Sequence, residues 1–364
     1  MNAPAPLSFA RGAPSLDIID IEGLRDAAQR AFANDPGGAT AYGTAVGYVP
    51  LRRWIAERHG VEENEVLVTN GSMQADAFLF DDLVAPGDAV VVERPSYDRT
   101  LLSLRQHGAD LSAIALEPDG IDTDALERAL VDGLRPKLAH IIPNFQNPAG
   151  YTLSGAKRER LLLLAREYEF LIFEDDPYIA LRFRGDTLPT MLSLDEGAGN
   201  VVYASSFSKT VCPGIRVGFL IGPAELIARI VVRATNTYIS PSMVDAAIVY
   251  EFCASGALDR SIERVKRALE ERVETLAAEL TRQIPDASFV APDGGYFLWV
   301  TLPKELEPGA VLKAAAEHGL ALVSGDDFVL DGGSGAVRLA FSGVTPEEIR
   351  RGVTRLADAL AALV

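Results

Sequence analysis

The sequence predicts an α/β fold: a large domain on a mostly parallel seven-stranded sheet, then a smaller α+β domain. Three observations predict it. From about residue 40 to residue 240, short apolar runs alternate with helical patterns, the mark of βαβ units whose sheet is buried on both faces. Beyond residue 240 one long charged helical pattern and a few mixed elements replace that alternation. The length of 364 residues suits about two domains, and a compact chain of that size hides roughly three quarters of its extended surface.

In order along the chain, residues 1–40 hold one helical pattern, around Glu22–Phe32, and read as an N-terminal arm. Seven apolar runs follow as strands: VLVTN (66–70), AVVVERP (89–95), LSAIAL (111–116), LAHIIPN (138–144), LIFEDDP (171–177), VVYASSFSK (201–209) and VGFLIGP (217–223). Helical spacing covers Ser72–Val84, Asp122–Leu130 and Ser154–Tyr168 between them. A charged helix over Leu258–Arg282 comes next, then a strand-like FVAPDGGYFLWVTL (289–302). A helix near Ala310–His318, the strand VRLAFS (337–342) and a last helix from Pro346 complete the chain. The expected division is arm 1–40, large domain 41–245 and small domain 246–364.

Composition excludes several classes of function. Lys and Arg number 34 against 51 Asp and Glu, a net charge of −17, which opposes a nucleic-acid or anionic-membrane partner. Small anions in a local basic pocket remain compatible. No apolar run approaches the length of a membrane span, and the opening MNAPAPLSFARG lacks a signal-peptide layout. Two cysteines, Cys212 and Cys253, exclude a disulfide scaffold and point to a reducing cytoplasm. Four scattered histidines give no ligand spacing, so no metal is expected.

Open α/β sheets bind ligands beyond the carboxyl ends of their strands. Polar residues gather at those positions: Asn70-Gly71-Ser72, Arg94 to Tyr97, Asn144 to Asn147, Glu174 to Asp176 and Ser205 to Lys209. Of six lysines, Lys137, Lys157, Lys266, Lys304 and Lys313 sit in polar turns or charged helices, whereas Lys209 ends an apolar strand. It reads either as a surface lysine or as an amine made nucleophilic by desolvation. Gly71-Ser72-Met73 opens a helix after a strand, so its amides and the helix dipole suit an anion, although Ser72 alone reads more readily as an N-cap. Ser206, Ser208 and Arg216 add donors that fit a phosphate. Asp175, beyond an apolar strand, needs a cationic partner, and a protonated heterocycle nitrogen suits it better than a metal. Tyr97 reads as core or as a plane stacked on a ring, and Asn147-Pro148-Ala149-Gly150 reads as a turn.

Taken in order, Tyr42, Gly71-Ser72, Tyr97, Asn147 to Gly150, Asp175 with Tyr178, Ser206 with Ser208-Lys209, and Arg338 resemble the class I and II pyridoxal-phosphate aminotransferases of fold type I. The phrases YGTAVGYVPLR, TNGSMQAD, ERPSYD, IIPNFQNPAG, EDDPY, SSFSKTVCPGIRVGF and VRLAFS resemble the 2-aminoadipate and aromatic aminotransferase group, also similar to the aminotransferase-like half of MocR regulators. The resemblance spans nearly the whole chain. It implies pyridoxal 5'-phosphate as cofactor and an amino acid and a 2-oxo acid as substrates, with ping-pong kinetics. It further implies a Schiff base and proton transfer at Lys209, Asp175 on the pyridine nitrogen, Tyr178 and Asn147 on the ring oxygen, and Tyr97 on the ring face. The phosphate falls to Gly71, Ser72, Met73, Ser206, Ser208 and Arg216, with Tyr42 reaching in from a second copy, so a homodimer with shared sites is implied. Arg338 and Asn147 bind the substrate carboxylate, and Gly12, in the arm, closes over it.

Two departures stand out. Lys209 and Arg216 are seven residues apart, which fits the aminoadipate group rather than the aspartate branch, and Met73 stands where glutamine is common. The chain starts almost directly with the aminotransferase part, without the leading DNA-binding domain of a regulator. Two alternatives use the same residues: a β-lyase, and a non-catalytic sensor of amino acids. Substrate preference is expected from Ser15–Ile19, where Ile18 and Ile19 suggest an apolar or aromatic side chain and Arg11 or Arg25 a second carboxylate. Cys212 receives no role.

Overall fold

The computed structural model describes residues 7–303 and 306–363. Lys304 and the first six residues of the opening stretch lie outside them. All seven expected strands join one sheet, ordered Val66–Thr69, Gly218–Ile221, Val201–Ser206, Leu171–Asp175, Leu138–Ile141, Ala89–Arg94 and Asp110–Glu117. An eighth strand, Gly120–Ile121, folds back on the far edge. Two residues are too few to show a period, so it left no sequence signal. Five neighbouring strands, Val201–Ser206 through Asp110–Glu117, run parallel. Gly218–Ile221 is antiparallel to both its neighbours.

Side chains alternate across this sheet as a two-sided core requires. Val90 and Val92 meet Ala75, Leu79 and the Ser72–Leu83 helix on one face. Val91 meets Leu126 and Leu161, from the Thr123–Val131 and Gly155–Tyr168 helices, on the other. From Ala89–Arg94 the chain goes to Asp110–Glu117 on one side and later returns to Leu138–Ile141 on the other. The order of strands reverses there, and the loops leaving Arg94 and Ile141 diverge to open a crevice.

A second, antiparallel sheet is ordered Ser288–Phe289, Phe297–Thr301, Ala336–Ala340 and Val323–Ser324. Its core includes Leu298, Val300 and Leu339 packed on Leu269, Leu276 and Val353, from the Ala257–Gln283 and Pro346–Ala361 helices. The expected strand 289–302 is split in two. Pro292-Asp293-Gly294-Gly295 interrupts the ladder, and Gly294 lies so close to Phe145 that a β-carbon there would collide with its ring. The arm pairs Leu7–Ser8 with Leu320–Ala321, and Phe9 accepts from the Ala340 amide at 2.7 Å. The expected break after residue 245 falls inside the Met243–Ala254 helix, which packs with Leu51 and Ile55. The next turn of the chain is at Gly256, whose φ of 71° is left-handed. Among the described residues no helix is long and apolar enough to cross a membrane.

Candidate active site

A cavity of about 410 Å³ opens at the reversal point of the large sheet. Every residue singled out for chemistry lines it except Gly71 and Tyr42. Strand ends supply Asp175, Ser206 and the Lys209 loop; the start of the Ser72–Leu83 helix supplies Ser72 and Met73; the second sheet supplies Phe297 and Arg338; the arm supplies Gly12.

The acidic run Glu174-Asp175-Asp176 is divided among three environments. Glu174 accepts the Met191 and Leu192 amides at 2.8 and 2.9 Å, away from the cavity. Asp176 accepts from Asn144 Nδ2 at 2.8 Å, and Asn144 Oδ1 accepts from Arg158 at 2.9 Å. Asp175 alone faces the cavity. Its Oδ2 lies 3.5 Å from His140 Nε2, and its buried Oδ1 has no partner among the described residues. An unpaired buried carboxylate oxygen of this kind is costly unless a donor meets it, and a protonated ring nitrogen is such a donor.

At the helix start, Gly71 takes φ 85° and no side chain caps the first-turn amides. The Arg216 guanidinium lies against Gly71, where a β-carbon would overlap it. Arg216 donates to Ser208 Oγ at 3.1 Å, and the Ser206 hydroxyl accepts the Ser208 amide at 3.1 Å. Uncapped amides, hydroxyls and a guanidinium therefore converge on one spot, the donor set a phosphate needs. Met73 is half exposed beside it.

Lys209 Nζ donates to the Gly12 carbonyl at 2.9 Å. It lies 5.4 Å from the Tyr296 ring centre and 5.7 Å from that of Tyr178, and the Tyr296 hydroxyl donates to the Lys209 carbonyl at 2.8 Å. Burial, then the charge of Arg338, pulls the lysine down to about 8, against a smaller opposite pull from Asp175. Burial pushes Tyr97 up to about 12 and Tyr178 well above the ordinary phenol range, so both stay neutral donors. Arg338 donates to Asn147 Oδ1 and to the Ala10 carbonyl, each at 2.8 Å. Its guanidinium lies 4.4 Å from the Phe297 ring centre and 4.7 Å from that of Phe328, while its Nε has no partner among the described residues. Because Asn147 accepts through oxygen, its amide nitrogen is left to donate elsewhere.

Two expectations about substrate preference need adjustment. Ser15–Ile19 does not line the cavity: Ile18 is buried in the small-sheet core and Asp17 binds Arg272 at 2.7 Å, so Ala10 to Ala13 form that wall. Of the two arginines, Arg11 lines the cavity, whereas Arg25 pairs with Glu22 on an exposed helix face. Tyr42 is 91% exposed and outside the cavity of its own chain. Sequence reasoning missed Asp76, His140, Tyr296 and Phe328. Asp76 carried a usable signal, since four residues after Ser72 puts it on the same helix face. The others depend on packing between distant segments.

The family model described as Aminotransferase class I and II matches residues 6–356. A 2-aminoadipate transaminase from Thermus thermophilus is 34% identical over 99% of this chain and 91% of its own length. The aromatic-amino-acid aminotransferase 1 of Thermococcus litoralis is 31% identical over 97% of this chain and 88% of its own. A crystal structure of the Thermus thermophilus alpha-aminoadipate aminotransferase, complexed with N-(5'-phosphopyridoxyl)-L-leucine, superposes with a TM-score of 0.94 at 33% identity, covering 98% of this chain and 92% of that one.

Proposed function

Because this chain belongs to the aminotransferase class I and II family and is a pyridoxal-phosphate-dependent aminotransferase, we propose that Lys209, Asp175, Arg216 and Arg338 carry its reaction. The observation that supports this most is their convergence on one cavity, with an anion cradle at one end and a buried, rigidly held arginine at the other. The residues fit the cofactor: the unpaired Asp175 oxygen matches a ring nitrogen, and the uncapped helix start with Arg216 matches its phosphate.

In this reading Gly71, Ser72 and Met73 hold the phosphate through the backbone, with Ser206, Ser208 and Arg216. Tyr97 covers the ring face. Tyr178 and the free amide of Asn147 donate to the ring oxygen. Bound there, the cofactor supplies an electron sink for the charge left on the substrate α-carbon. Asp175 keeps the ring nitrogen protonated. Arg338, held by Asn147 and Ala10, pairs with the α-carboxylate of the incoming amino acid and fixes its orientation. Lys209, with a pKa near 8, is partly a neutral amine at neutral pH. It takes the α-proton and returns it at the other end of the transfer. Water would supply the oxygen of the 2-oxo acid that leaves, the amino nitrogen would stay at the site, and a second 2-oxo acid would take up that nitrogen by the same steps in reverse.

The proposal extends to organisation. The division is an arm over 1–40, a large domain over 41–245 and a small domain over 246–364. Two copies form a dimer in which the exposed Tyr42 of one reaches the phosphate of the other. A reducing, cytoplasmic setting suits the free thiols Cys212 and Cys253. The test is Lys209→Ala. Transamination is expected to fall by at least about a thousandfold, and hydride reduction should no longer fix cofactor to the chain. Retained turnover without added amine would remove Lys209 from the reaction.

A further inference from the structure

Arg338 is buried, and among the described residues its hydrogen bonds go only to neutral acceptors, Asn147 Oδ1 and the Ala10 carbonyl. A buried guanidinium is costly unless its surroundings compensate it. Two aromatic rings supply part of that compensation, since the guanidinium lies over Phe297 and Phe328 at 4.4 and 4.7 Å from their ring centres. Carbonyls and ring faces steady the cation and leave its charge unspent, whereas a resident carboxylate would compete with an incoming one. Phe297 lines the cavity; Phe328, 1% exposed and edge-on to Trp299 at 6.1 Å, is not among the lining residues and reaches the site through Arg338. The loop that carries Phe328 lies in sequence between two strands of the second sheet, Val323–Ser324 and Ala336–Ala340, yet it is bonded three times to the large domain. The Phe328 carbonyl accepts the Ser96 amide at 2.9 Å, and the Leu330 and Asp331 carbonyls accept from Arg105 and Arg94, each at 3.0 Å. Leu330 packs against the large-domain core that holds Leu79 and Val92. Ser96 directly precedes Tyr97, so the residue whose carbonyl is fixed beside Tyr97 also presents its ring to Arg338.

We propose that Phe328 is a positioning residue for Arg338: its ring holds the guanidinium in line for the substrate α-carboxylate, and its carbonyl, bonded to Ser96, keeps that ring in register with Tyr97. This role rests on the assignment of the α-carboxylate to Arg338 made above. The loop thereby ties the end of the site that takes the carboxylate to the face that takes the cofactor ring. Without the Phe328 ring, Arg338 keeps both hydrogen bonds but loses one of its two ring contacts, and the carboxylate meets a less ordered fork.

The test is a double-mutant cycle on the holoenzyme: wild type, Phe328→Leu, Arg338→Ala and the two together, each checked for folding by circular dichroism. The first half of the reaction is followed in single turnover by the cofactor's visible band. The donors are the fastest of L-phenylalanine, L-leucine and L-2-aminoadipate, and the amine that lacks its α-carboxylate. Phe328→Leu should lower the second-order constant for the amino acid about tenfold, mainly by raising the half-saturating concentration. The amine's constant and the affinity for pyridoxal phosphate should stay within about twofold of wild type, because neither uses Arg338. Arg338→Ala should cost the amino acid at least about a hundredfold, and adding Phe328→Leu to it should change the constant by less than about twofold. Equal losses for amino acid and amine would make Phe328 a packing residue only. No loss for either, or a full tenfold further loss in the double variant, would also overturn the proposal. If Phe328→Leu does not fold, Phe328→Met removes the ring at nearly constant volume and reads the same cycle. An amino-acid constant unchanged by Arg338→Ala would instead remove Arg338 from the substrate, and this role of Phe328 with it.

Discussion

Single residues in this protein differ by what covers them more than by type. Three consecutive acids end one strand, yet Glu174 is spent on amides, Asp176 on Asn144, and only Asp175 meets the cavity. The strand's alternation separates neighbours onto opposite faces. Glu93 shows a further use of a buried carboxyl. It accepts from the Ile142 amide at 3.3 Å and from Gln146 Nε2 at 3.1 Å, tying the segment before Asn147 to the strand Ala89–Arg94. Burial raises its pKa to about 8, so the folded chain holds that proton more tightly than the unfolded chain does. Its contribution to stability is complete below the ordinary value of 4.5 and is lost as pH rises through about 8. Calorimetry from pH 5 to 9 should show stability declining across that window, and Glu93→Gln should remove on the order of 2 kcal/mol of the decline. An unaltered slope in the variant would assign the decline to other groups, such as Glu174, which burial lifts to about 7.

At the scale of elements, the site is made from ends. A helix start, several strand ends and the two central strands of the second sheet meet without any element entering the cavity as a whole. The Ser72–Leu83 helix begins on Gly71 because φ 85° is open to glycine and because Arg216 occupies the space of a side chain. Gly71→Ala should therefore strain the turn and push Arg216 aside. Cofactor affinity, measured by titration, should weaken by roughly tenfold or more while the fold loses only about 1–2 kcal/mol. Equal cofactor binding in the variant would show that the amides and Arg216 do not act together. The split of 289–302 into two strands follows the same logic, since Pro292 to Gly295 trade ladder bonds for close approach to Phe145.

For the whole molecule, the arm and the second sheet close the site that the large sheet opens. Gly12 meets Lys209, Ala10 meets Arg338, and Arg338 meets Asn147 across the crevice. Residues separated by up to 328 positions are thus in hydrogen-bond contact. Tyr42, at 91% exposure, stays outside this closure, as does the exposed apolar side chain of Ile239. A dimer should appear in sedimentation at micromolar concentration. Tyr42→Phe, which loses only a hydroxyl, should weaken pyridoxal phosphate by about tenfold without dissociating it, the worth of one hydrogen bond to a charged group. A monomer with full cofactor affinity would defeat the shared site.

The seven strands, most of the helices between them and the polar residues at the strand ends were legible in the sequence, because period, turn chemistry and strand ends are local properties, whereas Gly12 and Arg338 were reached only through the family resemblance. Asp175 and Lys209 could be singled out because each ends an apolar run where a charge has no local reason to be. Only the tertiary structure decided which wall the arm supplies, that Ile18 belongs to a core rather than to the cavity, and that Asp76 lines the cavity of Asp175 with its Oδ1 unpaired among the described residues. Those facts arise when segments far apart in the chain are brought together and shut off from water, and a linear pattern carries no record of which burials coincide.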